Sequence, residues 1–356
     1  MHVLCVSPYF HPKVGGMERY AYEICRRLSR DNEVTVVTSG SGFNEEKIDG
    51  MRVVRVPVDV RVSNTPVSFR LPLRIRRYVE MCDVVYAHTP VPFYADVSIL
   101  VSELLFKKPS LLVYHSGEVR GDGFVGVLAK AYRIWEEGMV RRATAVVGVS
   151  EFVKERINAD EVVTPGVDSD IYRPGSKDRA KKILFVGQLR RGHEWKGLDL
   201  LLKSISNIVE VLDTKISLTV VGGGDLREHY RRMAEKLKLD VEFKGWVDER
   251  ELIGEYSSSR LLVLPSKSDQ ESFGMVLLEA NACGTGVVGT KVGGIPNYIR
   301  DGKNGYLSDP NENSLSEKIL IGLDNYKKIG RVGLRISRKY SWDRSARKTE
   351  KLLESI

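Results

Sequence analysis

At 356 residues the chain is long for a single hydrophobic core, and its length points to two domains. Hydrophobic residues at 42% and charged residues at 29% are the proportions of a soluble globular protein and exclude large-scale disorder. The formal net charge of +8 is balanced through residue 170 and accumulates beyond it. That excess suits either an anionic ligand in the second half or a set of solvated helix faces. Without zinc-finger spacing or a basic aromatic ribonucleoprotein motif, nucleic acid is not an expected partner.

Cys5, Cys25, Cys82 and Cys283 are far apart, form no C-x-x-C and sit in apolar surroundings, so they read as reduced core residues. Met1 runs directly into apolar sequence without a signal-peptide pattern, and no charge-free stretch reaches about 18 residues. The expected location is the cytoplasm, with peripheral contact at an anionic membrane face left open.

His2 to Ser7 reads as a buried strand, PYFHPKVGG as a loop and Met17 to Leu28 as a helix with apolar residues at helical spacing. Gly15 and Gly16 precede that helix, where bare backbone either turns the chain or admits a ligand to its N–H groups. The loop lacks G-x-G-x-x-G, so no nicotinamide or flavin cofactor follows from it. Strands are expected at Val34 to Thr38, Arg52 to Val56, Asp83 to Ala87, Leu111 to Tyr114 and Thr144 to Val149, with helices at Phe69 to Val79 and from Ser150. This alternation predicts a parallel sheet covered by helices, in which ligands gather beyond the carboxyl ends of the strands. His115 falls at such an end, as a surface or capping residue or as a hydrogen-bonding partner for a hydroxyl or phosphate.

Arg70 to Arg77, RLPLRIRR, interleaves four arginines with leucine and isoleucine. It is an amphipathic helix packed on the sheet or one that also touches an anionic membrane. TPGVDSDIYRPGSKDRAKK, from Thr164 to Lys182, is the expected linker.

A second series of strands and helices follows. Strands are expected at Ile183 to Val186, Ile216 to Val221, Val241 to Phe243, Leu261 to Leu264 and Gly286 to Gly289, with helices near Leu198 to Ile208, Leu226 to Leu237 and Glu249 to Tyr256. Lys196 stands at the start of the first helix, shortly after Arg190 and Arg191. A cation there opposes the helix dipole unless an anion joins it. His193-Glu194-Trp195-Lys196 breaks the H-E-x-x-H pattern, and no metal is expected.

Pro265 to Gly284, PSKSDQESFGMVLLEANACG, places Glu271 and Glu279 eight residues apart around a helix starting at Met275. The first N–H groups of such a helix favour phosphate, and the acids suit sugar hydroxyls; two acids near any helix start also stabilise it through its dipole. KVGGIPNYIRDGKNGYL supplies another glycine pair, and residues 342–356 form a basic amphipathic helix that packs on a domain or faces a membrane.

In combination these residues resemble the retaining GT-B glycosyltransferases of family 4, along essentially the whole chain. ESFGMVLLEA is similar to the family's E-x7-E block and GGIPNYIRDGKNGYL to the block that follows it. VGGGD, FKGWV and TPGVDSDIYRP match its ordered series. The resemblance implies an α/β fold of two Rossmann-like domains facing a cleft. Residues 1–168 would form the acceptor domain, 169–340 the donor domain, and 341–356 a helix crossing back to the first domain.

It also implies transfer of a sugar, with retention, from a UDP- or GDP-sugar to a glycan, lipid-linked or small-molecule acceptor. No cofactor is required beyond the nucleotide-sugar co-substrate. By the same resemblance Glu279 would bind ribose, Glu271 the transferred sugar, and Phe273, Gly274 and Met275 would offer backbone groups to sugar and phosphate. Lys196 would hold the diphosphate, Lys244, Gly245 and Trp246 would border the base, His115 would lie near the sugar, and Gly15 and Gly16 would face the phosphates. The sequence departs from the family at Gly187-Gln188-Leu189, where many members have G-R-L, so the charge falls to Arg190 or Arg191. A phosphorylase or epimerase on the same fold, or a non-catalytic sugar-nucleotide binder, are the alternatives; the joint presence of Glu271, Glu279 and Lys196 argues against the last.

Overall fold

The computed structural model describes the chain except for residues 14, 63–64, 117–122, 176–178 and 213–215, and gives the backbone alone for 123–131, 180–181 and 212. It divides into two compact units. Unit 1 is Met1–Pro165 with Trp342–Ile356, and unit 2 is Gly166–Ser341. The first change of unit falls three residues before the expected boundary at 168. Most of the stretch expected as a linker belongs to unit 2, to which it is anchored by Tyr172, buried and donating to Glu249 at 2.9 Å.

Unit 1 contains β1 (His2–Val6), β2 (Glu33–Gly40), β3 (Asn44–Ile48), β4 (Met51–Pro57), the small hairpin β5 (Val60–Val62) and β6 (Thr65–Val67), β7 (Val84–Thr89), β8 (Ser110–Tyr114), β9 (Ala145–Gly148) and β10 (Glu161–Val162). Eight of these form one sheet in the order β10-β9-β8-β7-β1-β2-β4-β3. The central strands are apolar at nearly every position and buried on both faces, as parallel strands under helices must be. Only β3 runs antiparallel to its neighbour. It escapes a search for apolar periodicity because it is a polar edge strand, held to β4 by Arg52–Glu45 and Arg55–Glu46 ion pairs, each at 2.6 Å.

The helices α1 (Gly16–Leu28), α2 (Leu71–Met81), α3 (Tyr94–Val101), α4 (Gly123–Arg142) and α5 (Glu151–Ile157) connect these strands. Leu71, Ile75 and Val79 of α2 and Tyr94, Ala95 and Ile99 of α3 share one core with Leu4, Val6 and Val85 of the sheet. The two helices therefore lie in one layer on one face, and the arginines of α2 point out of it. Ser150 caps α5, its Oγ accepting from the Val153 N–H at 3.2 Å, so a helix start read from a single serine is present in the fold.

Unit 2 is built on β11 (Ala180–Val186), β12 (Ser217–Val221), β13 (Asp240–Gly245), β14 (Ser259–Leu264), β15 (Gly286–Thr290) and β16 (Tyr306–Ser308), all parallel, in the order β13-β12-β11-β14-β15-β16. Its helices are α6 (Leu198–Leu212), α7 (Arg227–Lys236), α8 (Glu249–Ser258), α9 (Met275–Ala282), the short α10 (Ile295–Tyr298) and the long α11 (Glu312–Ser337). From β11 the chain winds outward through β12 to β13, then returns to the other side of β11 and winds out through β14 to β16. The order reverses between β11 and β14, and loops leaving those two strands diverge to leave a crevice at their carboxyl ends.

The last helix, α12 (Trp342–Glu354), belongs to unit 1 and packs on α1. Trp342 is fully buried and meets the Tyr20 ring edge-on at 5.8 Å. Arg27 reaches Asp343 at 3.2 Å, Asn32 reaches Glu350 at 2.7 Å and Lys348 reaches Glu161 at 2.7 Å. Of the two roles open to this basic amphipathic helix, its apolar side takes the packed one.

Candidate active site

The reversal point of the unit 2 sheet gathers most of the residues singled out in the sequence. The loop leaving β11 carries Arg190, Arg191 and Lys196; the loop leaving β14 carries Glu271 and leads into α9. Lys196 Nζ donates to Glu271 Oε2 at 2.6 Å, and Ser266 Oγ donates to the same oxygen at 3.2 Å. Glu271 is 7% exposed, and the Lys196 side chain retains 22% of its exposure. The ammonium is thus held by a carboxylate and lies 4.4 Å from the centre of the Trp195 ring, on a side chain that stays part-exposed.

Two close backbone approaches fix this pair. Gly197 sits at φ +74 beside the Pro265 carbonyl, where a Cβ would lie well inside van der Waals contact. The Lys267 N–H then donates to Trp195 O at 2.7 Å, tying the two loops together on either side of Lys196 and Glu271. On the other flank Gly293 and Gly294 abut the carbonyls of Glu271 and Ser272, and the Gly294 N–H donates to Glu271 O at 2.7 Å. This glycine pair serves the seating of the Glu271 loop.

Gly274 is the left-handed residue from which α9 departs, and its carbonyl accepts from the Leu277 N–H. The Phe273 ring is buried against Tyr298 and Tyr340, at 5.8 and 6.0 Å. The Phe273 side chain is therefore part of the core, and Gly274 and Met275 follow it at the start of α9. In the second turn of α9, Glu279 is 5% exposed and accepts from Tyr256 Oη at 2.7 Å. Asn281, also on α9, accepts from Tyr298 Oη at 2.9 Å and Asn304 Nδ2 at 3.3 Å. Asn304 of the G-K-N-G-Y stretch is thus a buried brace beneath α9.

Arg191 and Arg190 are distinguished by their neighbours. Arg191 is committed to Asp225, through its N–H at 3.1 Å and its guanidinium at 3.6 Å, whereas the Arg190 guanidinium lies 5.9 Å from the Trp246 ring centre. Trp246 is 54% exposed, and its indole borders Gly223. The Lys244 ammonium is turned to Glu255 at 2.7 Å and Glu251 at 3.4 Å, with Lys182 also bonded to Glu255. The Glu255 carboxylate holds Lys244 above the usual lysine range. Burial pushes Glu255 upward, but its bonds to Lys182 and Lys244 outweigh that effect and keep it below the usual range. Lys244 is thereby occupied by structural ion pairs; Gly245 is buried with its carbonyl accepting from the Gly222 N–H at 2.8 Å, and Trp246 is the exposed residue of that loop.

In unit 1, His115 follows β8 and its N–H bonds to Thr89 O at 3.0 Å. Its ring lies 2.9 Å from His88 Nδ1, and burial lowers its pKa to about 3, so the ring is neutral at physiological pH. Gly16 opens α1, and the space over Gly15 is filled by the Glu18 carboxylate, which burial pushes above its usual range. The absence of a Cβ at Gly15 accommodates that side chain. A cavity of about 760 Å³ opens nearby at the carboxyl ends of β1, β2 and β4, lined in part by Tyr9, Lys13, Arg55 and Arg61. Among the described residues there is no group of three or more His, Cys, Asp or Glu side chains able to hold a metal ion.

Two parallel doubly wound units with a terminal helix returning to the first are the architecture of the GT-B glycosyltransferases, and solved structures share it. A sucrose-phosphate synthase from Thermosynechococcus elongatus matches with a TM-score of 0.79 at 20% identity, over 99% of this chain and 98% of that one. HepE of Anabaena in complex with UDP and glucose matches with a TM-score of 0.78 at 18% identity, over 100% of both chains. Residues 168–354 match the family described as "Glycosyl transferases group 1" and residues 14–171 that described as "Glycosyltransferase Family 4". The chain belongs to the group 1 glycosyl transferases. It is 27% identical to the D-rhamnosyltransferase WbpZ of Pseudomonas aeruginosa, over 85% of this chain and 81% of that protein. It is 25% identical to a phosphatidyl-myo-inositol mannosyltransferase of Mycobacterium leprae, over 100% of this chain and 97% of that protein.

Because Lys196 and Glu271 neutralise each other, removing one leaves the other charge uncompensated in a largely buried place. Lys196→Met is expected to lower stability by about 1–3 kcal/mol, allowing for the partial exposure of the ammonium. Adding Glu271→Gln should recover most of that loss in urea denaturation. A double variant no more stable than Lys196→Met alone would show that the pair is not the coupled unit described.

Proposed function

We propose that the protein transfers a sugar from a nucleotide-sugar donor, a UDP- or GDP-sugar, to a glycan, lipid-linked or small-molecule acceptor, with retention of anomeric configuration. The observation that carries this reading is the Lys196–Glu271 pair at the reversal point of the unit 2 sheet, beside the N-terminus of α9. Breaking an anomeric bond to diphosphate places negative charge on the leaving group. Preorganised cations and helix-end N–H groups stabilise that charge where it develops. Lys196, the start of α9 and Arg190 supply them in this reading. Arg190 takes the place of the arginine absent at Gln188 in this reading, because its guanidinium lies beside the Trp246 ring whereas that of Arg191 is turned to Asp225 at the surface.

Glu271, already engaged by Lys196 and Ser266, serves to orient the transferred sugar. Its bonds make it a weak nucleophile, so the acceptor attacks from the leaving-group face. Glu279 receives the ribose hydroxyls, with Tyr256 holding its carboxylate in place, and the exposed Trp246 ring borders the base. Retention is part of this reading on the resemblance of the E-x7-E block and on family membership. The UDP bound by HepE and the rhamnosyl and mannosyl transfers named for the relatives support a hexose donated from a nucleotide.

On the acceptor side, unit 1 exposes Phe69 and Leu73 at α2, Leu104 in the segment after α3, and Ile134 and Trp135 on α4. Arg70, Arg74 and Arg77 are exposed on the same short stretch as Phe69 and Leu73. Apolar and aromatic side chains interspersed with arginines suit the interface of an anionic bilayer, which favours a lipid-linked acceptor. No helix among the described residues is long and apolar enough to cross a membrane.

Incubation with a panel of UDP-, GDP- and ADP-sugars, with and without candidate acceptors, is expected to show acceptor-dependent consumption of one donor and a product of unchanged anomeric configuration by NMR. Glu271→Ala should lose both transfer and donor hydrolysis. Consumption without acceptor to an epimerised sugar nucleotide, or wild-type turnover by Glu271→Ala, would contradict the assignment. For the membrane face, co-sedimentation with phosphatidylserine-containing vesicles is expected to weaken by about 1 kcal/mol for each of Arg74→Gln and Arg77→Gln. Equal recovery of both variants and wild type on the phosphatidylserine-containing vesicles would remove the electrostatic part of the account.

A further inference from the structure

Arg179 stands immediately before β11, in the stretch that reads as a linker, and its side chain is partly buried at the ends of two helices. Nη1 donates to the carbonyl of Ser259, the residue that closes α8, at 2.7 Å and to that of Tyr256 at 3.2 Å. Nη2 donates to the carbonyl of Cys283, which closes α9, at 2.6 Å. Nη1 also donates to Thr285 Oγ1, whose hydroxyl is in turn bonded to Tyr256 O. Among the described residues these partners are uncharged, so the guanidinium is not half of an ion pair. The last carbonyls of a helix lack intrahelical partners and carry the negative end of its dipole, and here one cation answers two helix ends. A guanidinium can do so because its planar fork aims separate N–H groups at separate acceptors. Gly284, at φ +73, lets it approach, since a Cβ there would lie 3.2 Å from Nη2.

The two helices joined in this way carry the two halves of one contact. Tyr256, in the last turn of α8, is fully buried and donates from Oη to Glu279 of α9 at 2.7 Å. The Cys283 N–H bonds to Glu279 O at 3.1 Å, so the carbonyl held by Arg179 and the carboxylate held by Tyr256 belong to the same turn. We infer that Arg179 is a positioning residue that clamps the ends of α8 and α9 and thereby sets the Glu279 carboxylate for the ribose hydroxyls of the donor. It acts through Tyr256 and the last turn of α9, not by contact with the nucleotide. Without it Glu279 keeps its charge but moves with its helix, so recognition of ribose falls. Recognition of phosphate, made by Lys196 from a different loop, does not. The ribose consequence rests on the transferase reading above; the clamp does not.

The test is equilibrium binding of UDP and GDP, and of their 2′-deoxy and 3′-deoxy forms, to the full-length protein. The wild type is expected to prefer the ribonucleotide that it binds by about tenfold, as hydrogen bonds to a charged group allow, and Arg179→Met to keep about threefold or less. Its preference for diphosphate over monophosphate should stay as in the wild type. Arg179→Gln, which can bond to one helix end but not to two, should lose ribose preference as well and takes over the test where Arg179→Met does not fold. In Glu279→Ala, which has no carboxylate to place, adding the Arg179 substitution should lower the preference no further. Full ribose preference in a folded Arg179 variant, or an equal loss of ribose and diphosphate preference, would overturn the inference. A wild type indifferent to both hydroxyls would instead overturn the ribose assignment of Glu279, and the clamp is then decided by urea denaturation. The losses from the Arg179 substitution and from Tyr256→Phe should be non-additive, because both act on one helix pair, and additive losses would overturn the clamp.

Discussion

The bond between Lys196 and Glu271 joins the loops of two neighbouring strands at the one place in the unit 2 sheet where successive loops diverge. A lysine near the start of a helix gains nothing from the helix dipole, and a carboxylate that is 7% exposed is costly unless it is paired. Each group answers the other's difficulty. The Lys196 side chain stays part-exposed, so in the proposed reading a diphosphate joins a charge that is already in place. The rest of the site is arranged around keeping these two side chains in register.

That register is maintained by backbone more than by side chains. Gly197 lets the Lys196 loop approach the Pro265 carbonyl, and Gly293 and Gly294 let the following loop close on Glu271 and Ser272. A side chain at any of these positions would push a carbonyl away and move the pair with it. Beneath α9, Asn281 and Asn304 join the helix to the loop after α10, and Tyr256 fixes Glu279 from the neighbouring helix. A rigid support of this kind is what electrostatic stabilisation of a leaving group requires, because donors that must reorganise at the moment of reaction contribute less.

Much of this was legible in the sequence, for reasons that differ by residue. Apolar runs of four to seven residues marked the central strands because parallel strands are buried on both faces, and Ser150 marked a helix start through its hydroxyl. The edge strand β3 was not legible, since its stability comes from cross-strand ion pairs with β4 and its polar residues carry no apolar period. Lys196, Glu271 and Glu279 each stood out singly, but nothing local announces a bond between residues 75 positions apart. Tyr256, Ser266 and Arg179 went unnoticed for the same reason: each matters only through a partner brought to it by the fold. The glycine pair 293–294 stood out as a pair and does lead into α10, but nothing local shows that its tightest constraint is the carbonyl of a loop more than twenty residues earlier. Lys244 was read with the base, and the fold turns it to glutamates instead.

The most direct measurement is the equilibrium binding of nucleoside diphosphate and nucleoside monophosphate, of whichever base binds, to the wild type and to Lys196→Met. If Lys196 holds the distal phosphate, the wild type should prefer the diphosphate by about tenfold or more, and Lys196→Met should lose about tenfold of that preference, the range expected for a hydrogen bond between charged groups. Retention of the full preference by Lys196→Met would place the diphosphate elsewhere and contradict the account of the site.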